Sequence, residues 1–294
     1  MTQVPQSLVD ALSAAALYAL AALGIGLVFG VMRLANFAHG EIITAAAYTL
    51  VITWGSNPVL AVVLALAVGV AVALLMELVV FRRLRSATPA TLLIASFGLS
   101  FLLQRIYESL FGTNVRTAAV GSGLAGSVTF GGVRLQVLSL VTILLSAVLL
   151  LGVRAFLTRT SLGLQVRAAS MDFHTARLLG VRANMVIALT FGISGLLASV
   201  VAFVLTVQTG AVGPTFGAQI TVLALVGAVI GGIDRVTGAL AGGFVMGFVT
   251  SLFSTWLPDG VVRFRDAFVF LLVVVVLLIR PAGLLAGAGT VERT

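Results

Sequence analysis

The chain has 294 residues, of which 60% are hydrophobic and 9% are charged, and its mean hydropathy is +1.21. Soluble domains carry about 25% charged residues, so this composition excludes a soluble protein and predicts one integral membrane domain over residues 1–294. The net charge of +8 comes from arginine without any lysine, mostly in short segments between apolar stretches. That distribution follows the positive-inside rule of membrane proteins rather than a nucleic-acid-binding face, so we expect no nucleic-acid partner.

The missing residue types narrow the chemistry. Without lysine the chain has no Walker A phosphate loop, so any ATP that drives it must be bound by another subunit. Without cysteine it has neither disulfides nor thiolate metal sites. We expect no metal, no cofactor and no catalytic residues in this chain. No basic region precedes the first apolar stretch, so we expect no cleavable signal.

Apolar segments occupy the chain from end to end and predict an all-α, polytopic membrane protein with eight or nine transmembrane helices. A full crossing needs about 20 residues, and Ile42–Thr53 is shorter than that, so at least one helix is short or broken. The predicted spans are Ala11–Met32, Ile42–Thr53, Val59–Phe81, Thr91–Phe111, Leu135–Val153, two within Ala183–Ile233, Val236–Leu257 and Phe264–Ile279. The Gly-rich loop 112–134 between two of them predicts a small hairpin.

A polar cluster at residues 33–41 interrupts the first two apolar segments. Lipid cannot satisfy such groups, so they must face protein, a water-filled cavity or the membrane edge. Extending the short second helix back through Ala38 places His39 and Glu41 in its first turn. The helix dipole would favour the Glu41 carboxylate there. We expect the cluster on the cytoplasmic side, where it either braces the joint between two helices or contacts solute.

A second interruption at Gln208–Gly217 divides the 51-residue uncharged run Ala183–Ile233 into two helices. Paired interruptions in two halves of a transporter point to a translocation site, so Gly213, Pro214 and Gly217 are candidates for a counterpart joint. Arginine placement puts the N-terminus outside and the C-terminus in the cytoplasm. Small residues four apart, such as Gly243 and Gly247, predict close helix packing without a further role.

The segment 154–183 is the largest basic loop and carries five arginines. Leu164–Leu179 predicts a cytoplasmic helix, because Gly180 suits a left-handed residue after its end and Arg177 suits its last turn. The helix has apolar positions beside charged ones. It either docks on a partner protein or lies on the lipid headgroups.

Several motifs resemble one family. The hexapeptide Asn36-Phe37-Ala38-His39-Gly40-Glu41 resembles the Asn-Phe-Ala-His-Gly-acid motif of branched-chain amino-acid ABC importer permeases. The basic loop resembles their ATPase-coupling signature at Gly163, Arg167, Ala168, Ala176 and Gly180. The break Gly213-Pro214-x-x-Gly217, the following Gly231-Gly232 and Gly238, and the ending Arg280-Pro281-x-Gly283-Leu284 are also similar. These matches follow the family order from about residue 20 to 285.

The resemblance implies an inner-membrane permease subunit that works by alternating access. Such a subunit pairs with a second homologous permease, two cytoplasmic ATPase subunits that bind ATP, and a periplasmic substrate-binding protein. It further implies that residues 36, 37, 39–41, 213, 214 and 217 line the path or gate, and that Gly163, Arg167, Ala168, Ala176, Leu179 and Gly180 couple to the ATPase. Permeases of this kind also serve urea and short amides, so the substrate stays open.

Two readings of other classes compete with this one. Gly192-Ile193-Ser194-Gly195 matches the Gly-x-Ser-Gly of rhomboid-like intramembrane proteases, which need a histidine on a neighbouring helix to activate the serine. His174 falls in the basic loop and His39 in the first joint, so we expect no such base beside Ser194. The other reading is a channel or secondary transporter that works without an ATPase.

Overall fold

A computed structural model describes residues 3–85, 87–124, 126–130, 133–232, 235–258, 260–280 and 283–284. Within these ranges the chain forms eleven α-helices and two small antiparallel sheets. The helices are α1 (Gln3–Met32), α2 (His39–Thr53), α3 (Pro58–Met76), α4 (Pro89–Phe111), α5 (Val137–Arg159), α6 (Ser161–Met171), α7 (Phe173–Leu178), α8 (Ala183–Thr209), α9 (Ala218–Gly231), α10 (Val236–Trp256) and α11 (Arg265–Ile279). The strands are β1 (Arg116–Thr117), β2 (Ser127–Phe130), β3 (Val133–Gln136) and β4 (Ala211–Val212).

Six helices of the described chain are long and apolar enough to cross a membrane: α1, α3, α4, α5, α8 and α10. A π-helical turn at Glu77–Phe81 extends the 19 residues of α3 to a continuous span of 24 residues. Three further apolar helices are shorter, with 15 residues in α2, 14 in α9 and 15 in α11. The prediction of an all-α polytopic protein with short or broken helices is confirmed. The total of eight or nine crossings stays a prediction.

Helix α1 lies at the centre of the bundle and is the most deeply buried of the long helices. It packs against α5, α8, α9 and α10. Glycines permit close approach within the bundle. A Cβ at Gly243 of α10 would lie 2.7 Å from the carbonyl oxygen of Tyr18 in α1, and one at Gly227 of α9 would lie 3.0 Å from Cα of Gly243. The small-residue spacing therefore serves helix packing, as expected.

Helix starts follow local capping chemistry. The Asn57 side chain accepts hydrogen bonds from the amides of Val59 and Leu60 ahead of α3, and the Thr88 hydroxyl accepts one from Thr91 ahead of α4. Each cap precedes a proline at the first helical position, where its missing N–H is not needed. These signals fix where both helices begin.

The two sheets lie in the loops that join helices. β2 and β3 form the hairpin predicted within the Gly-rich loop. β1 pairs antiparallel with β4, which places Arg116 opposite Val212 and ties this loop to the break that follows α8. The Pro281 position of the ending motif lies outside the described residues. Leu284 donates its amide to the carbonyl of Ile230 at 2.7 Å, so the ending motif packs on the end of α9.

Candidate functional site

The first joint forms because the chain reverses after α1. Arg33 adopts φ +53° directly after the helix, a left-handed conformation that ends it. The Asn36 side chain then accepts a hydrogen bond from the amide of Ala38 at 3.1 Å, and α2 begins at His39. His39 and Glu41 lie in the first turn of α2, as predicted. Phe37 stacks on Phe97 of α4 with ring centroids 4.0 Å apart.

His39 lies inside the bundle, and the side of the membrane on which the polar cluster lies stays a prediction. The His39 side chain is 1% exposed and packs beside Gly24 of α1. Gly24 precedes the last residue of α1 by eight positions, or about 12 Å of helix rise. His39 reaches this depth because residues 33–38 fold back along α1 before α2 starts. The first turn of α2 therefore lies beside the interior of α1 and not at its end.

Glu41 anchors α4 to this joint through a buried polar network. Its Oε1 accepts hydrogen bonds from the Ser100 hydroxyl and from Gln104 Nε2, both at 2.8 Å, and the residue is fully buried. The Tyr107 hydroxyl donates to the Glu41 carbonyl at 2.8 Å. Since α4 is otherwise among the least buried of the long helices, these contacts are a principal attachment of α4 to the bundle.

The break at residues 208–217 lies in contact with the polar cluster at residues 33–41. Neither segment of the sequence indicates this contact by itself. After α8, Gly210 turns at φ +62°, β4 follows, and α9 begins at Ala218. The Gly217 amide donates to Thr44 Oγ1 at 3.0 Å, and the same hydroxyl donates to the Gly40 carbonyl at 3.0 Å. A Cβ at Gly40 would lie 2.8 Å from the Gly217 carbonyl oxygen. The first turns of α2 and α9 therefore abut.

The other predicted residues of this break lie farther from the joint. Pro214 is buried, whereas Gly213 is half-buried and faces Val115. The structure thus brings Gly40 and Gly217 together and places Gly213 and Pro214 on the approach to that contact. The sequence spacing predicted both interruptions, and their meeting across 173 residues required the fold.

The structure places His39 next to Ser194, against the expectation that no histidine lies near that serine. His39 Nδ1 and Ser194 Oγ are 3.3 Å apart, and both residues are 1% exposed. Burial of this kind keeps a peptide bond away from the hydroxyl. Among the described residues His39 Nε2 has no hydrogen-bond partner, so the imidazole lacks the orienting third group of a catalytic triad. The pair therefore joins α2 to α8.

The basic segment forms two helices instead of the single predicted helix Leu164–Leu179. α6 ends at Met171 because Asp172 is extended, at φ −148° and ψ 102°. The Asp172 side chain accepts a hydrogen bond from the Thr175 amide at 3.1 Å, which is an N-cap for α7. Gly180 adopts φ +89° after α7, as predicted.

The predicted coupling residues divide between a buried and an exposed face. Gly163 lies against the end of α5, where a Cβ would meet the backbone of Phe156, and Ala176 is 3% exposed. Ala168 is half-buried, whereas Arg167 and Leu179 are exposed. The exposed tip combines large apolar side chains with arginines, namely Met171, Leu178, Leu179, Arg167 and Arg177.

This segment contacts the central helix directly. Gly30 in the last turn of α1 lies beside Ser170 of α6, so that a Cβ on Gly30 would be 3.6 Å from the Ser170 Cβ. On the same side, Arg85 pairs with the buried Glu77 and also donates to Asn184 at the start of α8. Movement of α6 would therefore reach α1 and the first joint.

A large cavity lies at the opposite end of α1, and sequence reasoning missed it. Its volume is about 1280 Å³, above the roughly 300–1,000 Å³ of small-molecule pockets. The first turns of α1, the loop after β1, the start of α5 and the ends of α8 and α10 line it. The signal that marked it is the polar face Gln6, Asp10 and Ser13 on an otherwise apolar helix.

Buried helix breaks in a multi-pass bundle, with a cavity at one end and an exposed basic segment at the other, define a membrane transport permease. The chain matches the family described as branched-chain amino acid transport system / permease component over residues 7–278. It belongs to that family. The family is a class of transport components, which is in keeping with a chain that is not itself an enzyme.

Relatives extend over almost the whole chain. The permease protein BraD of the high-affinity branched-chain amino acid transport system of Pseudomonas aeruginosa is 32% identical, covering 98% of this chain and 97% of its own. LivH of the corresponding Escherichia coli K12 system is 30% identical with the same coverage. A probable LivH of Methanocaldococcus jannaschii is 25% identical over 91% of this chain and 88% of its own. No solved structure shows a significant match.

Proposed function

We propose that this chain is the permease subunit of an inner-membrane ABC importer for branched-chain amino acids. Its partners are a second, homologous permease, two cytoplasmic ATPase subunits that bind ATP, and a periplasmic substrate-binding protein. The relatives' names support the substrate, and the absence of a Walker A lysine supports a separate ATPase. Residues 1–294 act as one permease domain.

The observation that carries this proposal is the basic, partly apolar tip of α6 and α7, seated on the end of α1. Arg167 and Leu179 are exposed there, while Gly163 and Ala176 fix the two helices to the bundle. An ATPase that docks on the exposed face would move α6 against Gly30, and hence α1. The exposed arginines on this end also support a cytoplasmic position, with the N-terminus outside and the C-terminus inside.

In this mechanism the two breaks form a hinge or gate element of the path. The residues concerned are Asn36, Phe37, His39, Gly40, Glu41, Gly213, Pro214 and Gly217. Where two short helices touch at glycines, the angle between their axes can change without a side chain in the way. This favours a pivot at Gly40 and Gly217. The cavity at the far end of α1 receives solute, and the packed layer between cavity and joint closes the path in this conformation.

Arg167→Glu tests the coupling role in the assembled transporter. The charge reversal lies on the exposed face of α6, so membrane insertion should be intact while stimulation of the partner ATPase by loaded binding protein is lost. Arg263→Glu is the matched control, because Arg263 is also exposed but lies at the opposite end of the bundle. Undiminished stimulation in Arg167→Glu would show that α6 serves topology alone.

A further inference from the structure

The cavity at the end of α1 carries a single charged side chain among its described lining residues, and it is acidic. Asp10 stands on the same face of α1 as Gln6 and Ser13, at positions i, i+4 and i+7. Gln6 Nε2 donates to both carboxylate oxygens of Asp10, at 3.2 and 3.1 Å. Within the described residues the carboxylate forms no ion pair, and it is only half-buried.

The rest of the lining suits an amphipathic solute. Residues with hydroxyl and amide groups from five segments line the same space, namely Ser122, Gln136, Ser139, Gln208 and Thr255. Apolar side chains alternate with them, including Val120, Leu138 and Val207. Such a wall offers hydrogen bonds to a carboxylate and apolar contact to an aliphatic side chain, while its one charge selects for a cationic group.

We propose that this cavity is a binding site for the zwitterion of an α-amino acid, with the Asp10 carboxylate as the acceptor for the substrate ammonium group. The inference rests on the proposed function and names the side chain that first binds the incoming solute. A neutral amide or urea would donate hydrogen bonds to this carboxylate but would lack the charge–charge attraction that an ammonium group adds. The site would thus distinguish amino acids from the other solutes that similar permeases carry.

The position of Asp10 also links binding to the moving parts. Asp10 and Ser13 lie near one end of α1, Gly24 contacts His39 in the joint, and Gly30 contacts Ser170 of α6. Solute bound to the first turns of α1 therefore touches the same helix on which the coupling segment rests. A displacement of α1 along or about its axis would change the cavity wall and the joint together.

Uptake by the complete transporter in proteoliposomes, with leucine-loaded binding protein, tests the proposal. Asp10→Ala should lower amino-acid uptake at least tenfold while stimulated ATP hydrolysis is retained. Asp10→Asn should lose less, because it keeps an acceptor oxygen without the charge. Glu108→Gln is the matched control, since Glu108 also carries one negative charge near the same end of the bundle but lies outside the cavity and pairs with Arg105.

Uptake by Asp10→Ala within twofold of wild type would overturn the inference and leave the proposed function intact. Failure of the wild-type complex to take up any amino acid would instead contradict the proposed function. If Asp10→Ala does not assemble, the natural lack of cysteine permits a second measurement. Labelling of Ser139→Cys by a water-soluble maleimide should be slowed by excess leucine and not by 4-methylpentanoate, which lacks the amino group. Equal rates with both solutes would overturn the ammonium contact.

Discussion

Gly217→Ala probes the contact between the first turns of α2 and α9. The added Cβ would clash with the Gly40 carbonyl oxygen and would lie 2.8 Å from the Gly40 carbonyl carbon and 2.9 Å from the Ile43 Cβ. Real Cβ atoms essentially never approach a neighbour closer than 3.0 Å, so relief of the clash with the Gly40 carbonyl oxygen requires the two helices to separate by roughly one ångström. Because most of these atoms are backbone, no side-chain rotation relieves the overlap.

The expected cost has two parts. Overpacking of a tight core costs about 1–3 kcal/mol. Separation would also stretch the 3.0 Å hydrogen bond from the Gly217 amide to Thr44, a loss of about 1 kcal/mol. We therefore expect the free energy of unfolding of Gly217→Ala to be lower by about 2–4 kcal/mol. We also expect solute uptake to be several-fold slower, because the added methyl group keeps the first turns of α2 and α9 apart.

The assay compares thermal unfolding of the purified permease in detergent with uptake in proteoliposomes. Gly98→Ala is the matched control, because Gly98 lies on the exposed surface of α4 and an added Cβ there has no atom within 4 Å. Alanine is the better helix former by about 1 kcal/mol, so this control should be at least as stable as wild type. If both variants melt and transport alike, the close approach of Gly40 and Gly217 has no bearing on stability or gating.

Two further predictions concern the buried polar contacts of the joint. Ser194→Ala should leave uptake within about twofold of wild type, because the 3.3 Å contact with His39 joins helices and carries no chemistry; abolished function with an intact fold would revive the protease reading. Glu41→Leu should lower the free energy of unfolding by about 2 kcal/mol or more, since Ser100 and Gln104 lose a buried acceptor, whereas Glu41→Gln keeps an acceptor and should melt near wild type. Equal melting of the two Glu41 variants would show that this network does not anchor α4.

Elements with a strong local signal were predictable from sequence. The start of α2 at His39, the break after α8 and the left-handed Gly180 all follow from polar residues, glycines and prolines in apolar surroundings. These signals act through a few neighbouring residues, where backbone sterics and unsatisfied amide groups decide the outcome. Apolar runs likewise located the long helices, although α1 begins at Gln3 instead of Ala11 and α5 ends at Arg159 instead of Val153.

The contacts between elements were beyond the sequence. Nothing local indicates that the hydroxyl of Thr44 bridges to Gly217, or that His39 lies against Ser194, because these pairs are 173 and 155 residues apart. The division of the basic segment did leave a signal, since an aspartate three residues before a threonine amide is a capping pattern. This capping pattern was overlooked because the apolar and charged residues on either side of Asp172 keep the spacing of a single continuous helix.

The cavity was also missed for a physical reason. Its walls come from separate parts of the chain, and apart from α1 each contributes only one or two polar side chains. A half-buried Asp10 near the start of an apolar helix is ordinary for a residue at the membrane interface. Only the convergence of α1, α5, α8 and α10 turns these scattered groups into one polar space.

Uptake of radiolabelled leucine into proteoliposomes that contain this chain with its partner subunits tests the central claim most directly. The proposed function predicts uptake that requires ATP, the ATPase subunits and the loaded binding protein, and that stops when any one of them is omitted. Solute movement by the purified chain alone, without an ATPase, would contradict it and establish a free-standing channel or secondary transporter.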